Sequence, residues 1–208
     1  MLHELKELIG SPVSAIDGEI GTISSFLFDD QSWTVLYLVV DVGGWLKRRD
    51  VVLAIAALEQ PDWATRKFRV RLTMEQVRDS PDIDAEMPVS LQQELAMREY
   101  FGRLACWADS ELGMSSIPTG IKYPVHAEGN PHLRSTRDML GYEVWATDGD
   151  IGRLEGFVMD EACWHLGYLD VKAGSWLEER SVLIPTPWAR SVSWADHRIY
   201  LHHTRQGI

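Results

Sequence analysis

Cysteine is scarce in this chain of 208 residues, which contains only Cys106 and Cys163. The two residues lie in dissimilar surroundings and form no Cys-x-x-Cys pair. The sequence therefore predicts neither a disulfide framework nor a structural zinc site. Because cysteines usually stay reduced in the cytoplasm, we expect a cytoplasmic protein.

Long apolar runs are missing as well. No window approaches the roughly 18–20 consecutive apolar residues that a membrane span needs. The opening segment, MLHELKELIG, has acidic side chains among its first residues and no long apolar stretch, unlike a secretory signal. These features predict a soluble protein with neither a signal peptide nor a membrane span.

Basic residues are outnumbered, because 20 lysines and arginines face 31 aspartates and glutamates, for a net charge of −11. Nucleic-acid binding through an overall basic surface is therefore disfavoured. The main local basic cluster is Lys47-Arg48-Arg49, with Arg69 and Arg71 further along the chain. This cluster leaves open a role as an RNA-associated or ribosome-associated factor, provided that these side chains share one face.

Motifs that would specify a reaction are also absent: there is no nucleophile elbow, no phosphate-binding glycine loop and no EF-hand spacing. His202-His203 lies near His197, but adjacent residues of a strand point to opposite faces, so at most one of the pair could join His197 at a metal. The acidic pairs Asp29-Asp30 and Asp160-Glu161 are more typical of solvated hairpin ends than of a cation site. We therefore predict a protein that is not an enzyme and has no cofactor or metal.

The sequence does contain an internal repeat. Asp17-Gly18-Glu19-Ile20-Gly21 returns as Asp148-Gly149-Asp150-Ile151-Gly152, 131 residues later (148 − 17). The match continues without a gap as far as Thr73 and Thr204, and a match of this length indicates two copies of one domain. Three tryptophans recur in register: Trp33, Trp45 and Trp63 return as Trp164, Trp176 and Trp194.

Each copy has the pattern of a small antiparallel β-barrel, because short β-rich segments alternate with turn residues. Asp-Gly is a strong signal for a tight turn, so we interpret Asp17 and Asp148 as turn residues. The isolated glycines Gly21 and Gly152 indicate a bulge or a close backbone approach. Thr73, with Gln76 three residues later, predicts a capping box at a closing helix.

These patterns predict a mainly β chain of two small barrels in tandem, with short helices and a helical linker. The first barrel domain is expected at residues 1–85 and the second at residues 132–208. The linker, residues 86–131, contains one predicted helix, since Ser90 to Gly102 has neither proline nor glycine before its end.

The loop tips of the two copies differ in charge. Lys47-Arg48 in the first copy corresponds to Glu178-Glu179 in the second. Opposite charges could let the two tips attract each other, within one chain or between the chains of a homodimer. Together with the adjoining Trp45 and Trp176, these residues are the candidate interaction residues.

The order of Asp-Gly-x-Ile-Gly, Phe-x-x-Asp, Trp and then Tyr37-Leu38-Val39-Val40-Asp41 resembles the PRC-barrel domain, and the whole chain resembles the bacterial tandem PRC-barrel proteins. The resemblance weakens at Lys172, which stands where the first copy has Asp41. Related domains occur in the H subunit of purple-bacterial reaction centres and in the ribosome maturation factor. Both act through protein contacts, so the resemblance implies an interaction or adaptor role.

Three classes of function therefore stay open. The first is a non-enzymatic protein-interaction or adaptor module. The second is the RNA-associated or ribosome-associated factor suggested by the basic cluster. The third is a small-ligand binder or enzyme with a site between the barrels, near Trp45, Trp176 or Trp107, which would need a pocket with convergent polar groups. We take the first as the main hypothesis.

Overall fold

The structure is a computed structural model that describes residues 1–43, 50–80, 99–100, 132–174 and 180–208. Strands dominate these residues, which confirms the prediction of a mainly β chain. No helix among them is long and apolar enough to cross a membrane. The candidate residues at the loop tips and most of the predicted linker lie outside the described residues: Trp45, Lys47, Arg48, Trp107, Trp176, Glu178 and Glu179.

The chain forms two compact units. We call Leu8–Asp29 with Val35–Ser135 the N-terminal unit, and Met1–Glu7 with Asp30–Thr34 and Thr136–Ile208 the C-terminal unit. The boundaries predicted at 1–85, 86–131 and 132–208 follow the sequence repeat. The compact units depart from that division in short segments, and the pairing of the strands explains why.

The first repeat contributes six strands and one short helix, and the second repeat follows the same order. The elements of the first are β1 (Leu2–Glu4), β2 (Pro12–Ser14), β3 (Glu19–Asp29), β4 (Thr34–Asp41), β5 (Asp50–Ala54), β6 (Phe68–Arg69) and α1 (Met74–Arg78). Those of the second are β7 (Leu133–Ser135), α2 (Thr136–Met139), β8 (Glu143–Ala146), β9 (Gly149–Asp160), β10 (His165–Ala173), β11 (Arg180–Pro185), β12 (Ala189–Ser193) and β13 (Arg198–Leu201).

The strands pair in the same way in both units. In the N-terminal unit, β3 is antiparallel to β2, β4 is antiparallel to β5, and β6 runs parallel to β2. In the C-terminal unit, β9 is antiparallel to β8 and β10, β10 is antiparallel to β11, and β13 runs parallel to β8 and antiparallel to β12. The repeat in sequence is therefore a repeat in strand register.

Each unit takes its lead-in strand from the other repeat. In the C-terminal unit, β1 pairs with β9, and Leu2 lies opposite Asp160. In the N-terminal unit, β7 pairs with β3, and Leu133 lies opposite Asp29. The two pairings have the same register, because both residues of the first pair lie 131 positions from those of the second. The compact units therefore cross the boundaries of the repeat.

The β-branched and aromatic residues that favour strands also fill the core. Leu27, Tyr37, Val39 and Val52 form an apolar cluster in the N-terminal unit, together with Leu133 from the lead-in strand of the second repeat. All five side chains are buried. Apolar burial of this kind supplies most of the favourable free energy of folding.

The closing helix of the first repeat begins as the sequence predicts. The Thr73 hydroxyl accepts a hydrogen bond from the Gln76 backbone at 3.2 Å, and the Gln76 side chain accepts one from the Thr73 backbone at 2.9 Å. This capping box is confirmed. In the second repeat, the equivalent position is a short 3₁₀ turn, Arg205–Gly207.

Candidate interaction face

The aspartates of the repeated Asp-Gly turns have a second role in addition to forming the turn. Asp17 accepts a hydrogen bond from the backbone of Met74, the first residue of α1, at 2.8 Å. Asp148 accepts one from the backbone of Arg205 at 2.8 Å. Each carboxylate thus satisfies a backbone N–H at the start of the closing helical turn. These residues position the end of each repeat rather than a reacting group.

Replacing Asp148 with alanine should remove this bond and lower the free energy of unfolding of the C-terminal unit by about 1 kcal/mol, as the loss of a helix cap does. Asp148→Asn keeps the carbonyl oxygen that accepts the bond, so it should retain most of the stability. Urea unfolding of both variants checks the prediction. Equal losses in the two variants would show that charge, and not the hydrogen bond, is responsible.

The glycines of the same motif allow close backbone approaches. A Cβ atom on Gly21 would lie 2.0 Å from the Asp41 carbonyl oxygen, and one on Gly152 would lie 2.0 Å from that of Lys172. Gly18 closes its turn by accepting a hydrogen bond from the Ala15 backbone at 2.7 Å. Gly149 lies beside the Arg205 guanidinium, 3.4 Å from where its Cβ would be.

The acidic pair Asp160-Glu161 contacts the lead-in segment of the first repeat. Glu161 lies 3.2 Å from the Met1 ammonium group and accepts a hydrogen bond from His3 at 2.6 Å. The bond from His3 lowers the pKa of the Glu161 carboxyl. Asp29, the counterpart of Asp160, is buried. Within the described parts of the chain, no three acidic, histidine or cysteine side chains are placed to hold a metal ion.

The histidines of the sequence cluster have separate aromatic neighbours. The His203 ring stacks on Trp188 with 4.1 Å between the ring centroids. The His197 ring lies 5.1 Å from that of Tyr142. The two imidazoles are therefore parts of different aromatic contacts in the C-terminal unit.

The outer face of the C-terminal unit brings together arginines and aromatic rings. Strands β8 and β13 alternate buried aliphatic residues with half-buried polar or aromatic ones, so Trp145 and Tyr200 share the outer side. Tyr200 lies directly beside Trp145 in the parallel β13–β8 pair. We call six residues the Arg–aromatic face: Glu143, Trp145, Arg153, Arg190, Arg198 and Tyr200.

Glu143 is the centre of the hydrogen bonding on this face. Its carboxylate accepts hydrogen bonds from Arg198 at 3.0 Å, from the Trp145 indole at 3.1 Å and from Arg153 at 3.4 Å. The hydrogen bond from Arg198 is the largest cause of a lowered Glu143 pKa, followed by that from Trp145. Glu143 is therefore ionised near neutral pH, and it orients both arginines and the indole.

Two arginines of the face lie over aromatic rings. The Arg198 guanidinium carbon is 4.7 Å from the centroid of the Trp145 ring, and that of Arg190 is 6.0 Å from the centroid of the Tyr200 ring. Both distances are within the range of cation–π attraction. The guanidinium groups are thus held near the sheet surface instead of extending freely into solvent.

The N-terminal unit supplies an internal comparison, since its strands β2 and β6 pair in the same register as β8 and β13. None of the six equivalent positions is aromatic. Counting back 131 residues, the Arg–aromatic face corresponds to Pro12, Ser14, Thr22, Glu59, Lys67 and Arg69. The fold therefore does not require the Arg–aromatic face, and the second repeat possesses it for another reason.

Sequence reasoning did not single out this face, although a signal was present. Glu143-Val144-Trp145-Ala146 and Arg198-Ile199-Tyr200-Leu201 both alternate polar or aromatic with aliphatic residues, as half-buried strands do. The parallel pairing of two segments 55 positions apart (198 − 143) is what places them side by side. That pairing depends on tertiary structure, which no local pattern shows.

The predicted basic cluster is only partly described. Arg69 is exposed, and Arg71 donates a hydrogen bond to the Leu58 carbonyl at 3.3 Å. The remaining members, Lys47 to Arg49, lie outside the described residues. A common face for this cluster therefore stays a prediction.

A hollow beside α1 in the N-terminal unit is a less suitable site. It is lined by Ile20, Val42, Val51, Met74, Val77 and Arg78. All but one of these side chains are apolar. A specific small-ligand site usually adds several convergent polar groups to an apolar lining, and this lining offers one.

The repeated strand order and register define a β domain that occurs twice in the chain. A comparison with protein families matches residues 2–70 to the PRC-barrel domain. This match supports the PRC-barrel family for the first repeat. No curated protein matches the chain.

Proposed function

We propose that this chain is a non-enzymatic protein-interaction or adaptor module built from two PRC-like barrels. PRC-barrel domains are generally protein-interaction modules, and residues 2–70 match that domain. The gapless offset of 131 residues extends the same domain to the second repeat. A bacterial origin, a cytoplasmic location and a homodimer are parts of this proposal.

The Arg–aromatic face is the observation that supports an interaction role most directly. Protein interfaces are enriched in tryptophan, tyrosine and arginine, which are also the residues that contribute most to binding energy. The equivalent face of the first repeat keeps the strand register without these residues. A face that the fold does not need is best explained by what it binds.

Affinity capture from a native lysate, followed by mass spectrometry, tests this proposal. The bait is the full chain, and the comparison is a double variant, Trp145→Ser with Tyr200→Arg. Each new residue is the one found at the equivalent position of the first repeat, namely Ser14 and Arg69, so the strands should accommodate it. We expect the wild-type chain to capture discrete proteins at moderate salt and the double variant to lose them.

The two other classes of function predict different results in the same experiment. RNA that is retained steeply less as salt rises would favour the ribosome-associated role. A small molecule that co-purifies with the chain, with no captured protein, would favour the ligand-binding role. Light scattering on the purified chain tests the homodimer, including the predicted attraction between Lys47-Arg48 and Glu178-Glu179.

A further inference from the structure

We propose that the Arg–aromatic face binds a short, extended, acidic segment of a partner protein. This inference rests on the proposed interaction role and adds the chemistry of the partner. The face has three arginines and one glutamate, in a chain whose net charge is −11. Its local charge is thus opposite to that of the whole molecule, which favours an anionic partner at this place.

The charges on the face are only partly compensated. Glu143 pairs with both Arg198 and Arg153. Arg190 is exposed, and no carboxylate among the described residues forms an ion pair with it. A partner's carboxylate could therefore bind Arg190 without displacing an existing ion pair. Guanidinium groups suit this task, since their planar fork matches a carboxylate in a bidentate geometry.

The aromatic rings prepare the arginines for binding. A guanidinium that lies over a ring still presents its N–H edge to a ligand, and its side chain has already lost part of its freedom. Arg198 over Trp145 and Arg190 over Tyr200 share this arrangement. Preorganisation of this kind reduces the entropy lost on binding.

The spacing of the arginines fits an extended peptide. Arg190 lies on β12, beside β13, and Arg153 lies on β9, with β8 between β13 and β9. Because neighbouring strands are about 4.8 Å apart, the face extends about 14 Å across these four strands. An extended chain rises about 3.3 Å per residue, so four or five residues cover that distance, with alternate side chains facing the sheet.

A protein segment fits better than a nucleic acid. The Trp145 ring already has Arg198 over it, which opposes the base stacking that single-stranded nucleic acids use. A long polyanion would also experience the net charge of −11 beyond the face. A short acidic segment interacts mainly with charges within the Debye length, about 8 Å at physiological ionic strength.

Fluorescence anisotropy with the full chain tests the inference. The probe is a labelled eight-residue peptide of alternating glutamate and tyrosine, and the comparison probes are the same peptide with lysine for glutamate and a ten-nucleotide oligouridylate. We expect the wild-type chain to bind the glutamate peptide in preference to both. Arg190→Glu should weaken that binding by about tenfold or more, since an ion pair becomes a repulsion.

Lys67→Glu is the matched control, because it makes the same charge change on the equivalent face of the N-terminal unit, where Lys67 corresponds to Arg198. We expect it to leave peptide binding almost unchanged, and thermal unfolding should show that both variants fold. Preference for oligouridylate or for the lysine peptide, or equal losses in the two variants, would overturn the inference.

Repeating the lysate capture with Arg190→Glu separates this inference from the proposed function. Capture of the same proteins by Arg190→Glu and by the wild type would overturn the acidic-segment inference and leave the interaction role in place. Peptide binding by a wild-type chain that captures no protein would instead overturn the interaction role alone. Loss of captured proteins in Arg190→Glu, but not in Lys67→Glu, supports both.

Discussion

Replacing Gly152 with alanine is expected to destabilise the C-terminal unit by about 3 kcal/mol or more, or to prevent it from folding, because backbone and not a flexible side chain is in the way. The new Cβ would lie 2.0 Å from the Lys172 carbonyl oxygen and 2.8 Å from its carbonyl carbon. Relief would require the backbone of β10 to move. Gly21→Ala should have the same effect on the N-terminal unit, since its Cβ would lie 2.0 Å from the Asp41 carbonyl oxygen. Urea unfolding followed by circular dichroism measures both effects.

Gly167→Ala is the matched control in the same unit. The nearest atom to its added Cβ is the Val158 carbonyl oxygen at 4.0 Å, which is an ordinary contact. We expect a change in the free energy of unfolding within about 1 kcal/mol. If Gly167→Ala proved as damaging as Gly152→Ala, loss of glycine itself, and not the close approach, would be the cause.

The close approach has a local origin in a β-bulge. In the N-terminal unit, Val13 pairs with Gly21 whereas Ser14 pairs with Glu19, so Ile20 is the extra residue. The same shift occurs between β8 and β9, where Ile151 is extra. A bulge bends its strand and increases the local twist. The glycine next to it is the residue that tolerates the resulting contact with the neighbouring strand.

This part of the fold could be predicted from the sequence because its signals are local. An Asp-Gly dipeptide, an isolated glycine and a Thr-x-x-Gln box each restrict a few neighbouring residues, and the repeat states each of them twice or in related form. The mainly β class follows from the same local patterns. Gly21 and the Thr73 box needed no knowledge of distant partners.

The exchange of lead-in strands could not be predicted in the same way. Leu2 and Leu133 occupy equivalent positions, and the pattern around each would suit a strand of either repeat. Which β-strand accepts them depends on packing between residues more than 100 positions apart. The Arg–aromatic face depends on such a pairing too, since β8 and β13 meet only in the folded unit. The charged loop tips lie outside the described residues and stay a prediction.

The exchange makes a prediction that two equivalent leucines can test. Leu133 is 1% exposed and belongs to the apolar cluster of the N-terminal unit, whereas Leu2 is 53% exposed. Leu133→Ala should therefore lower the free energy of unfolding by about 2–5 kcal/mol, as buried leucine truncations do. Leu2→Ala, the matched control at the equivalent position, should change it by no more than about 0.5 kcal/mol.

Hydrogen exchange can locate the effect of Leu133→Ala as well as measure it. If the second repeat folded only with its own strands, losing the Leu133 side chain would weaken β9, which spans Gly149–Asp160. The pairing of β7 with β3 instead predicts faster exchange in Glu19–Asp29, a segment of the first repeat, with β9 little affected. Faster exchange confined to β9 would contradict the strand exchange. The predicted pattern would mean that a residue of the second repeat stabilises strands of the first, because Leu133 completes their core.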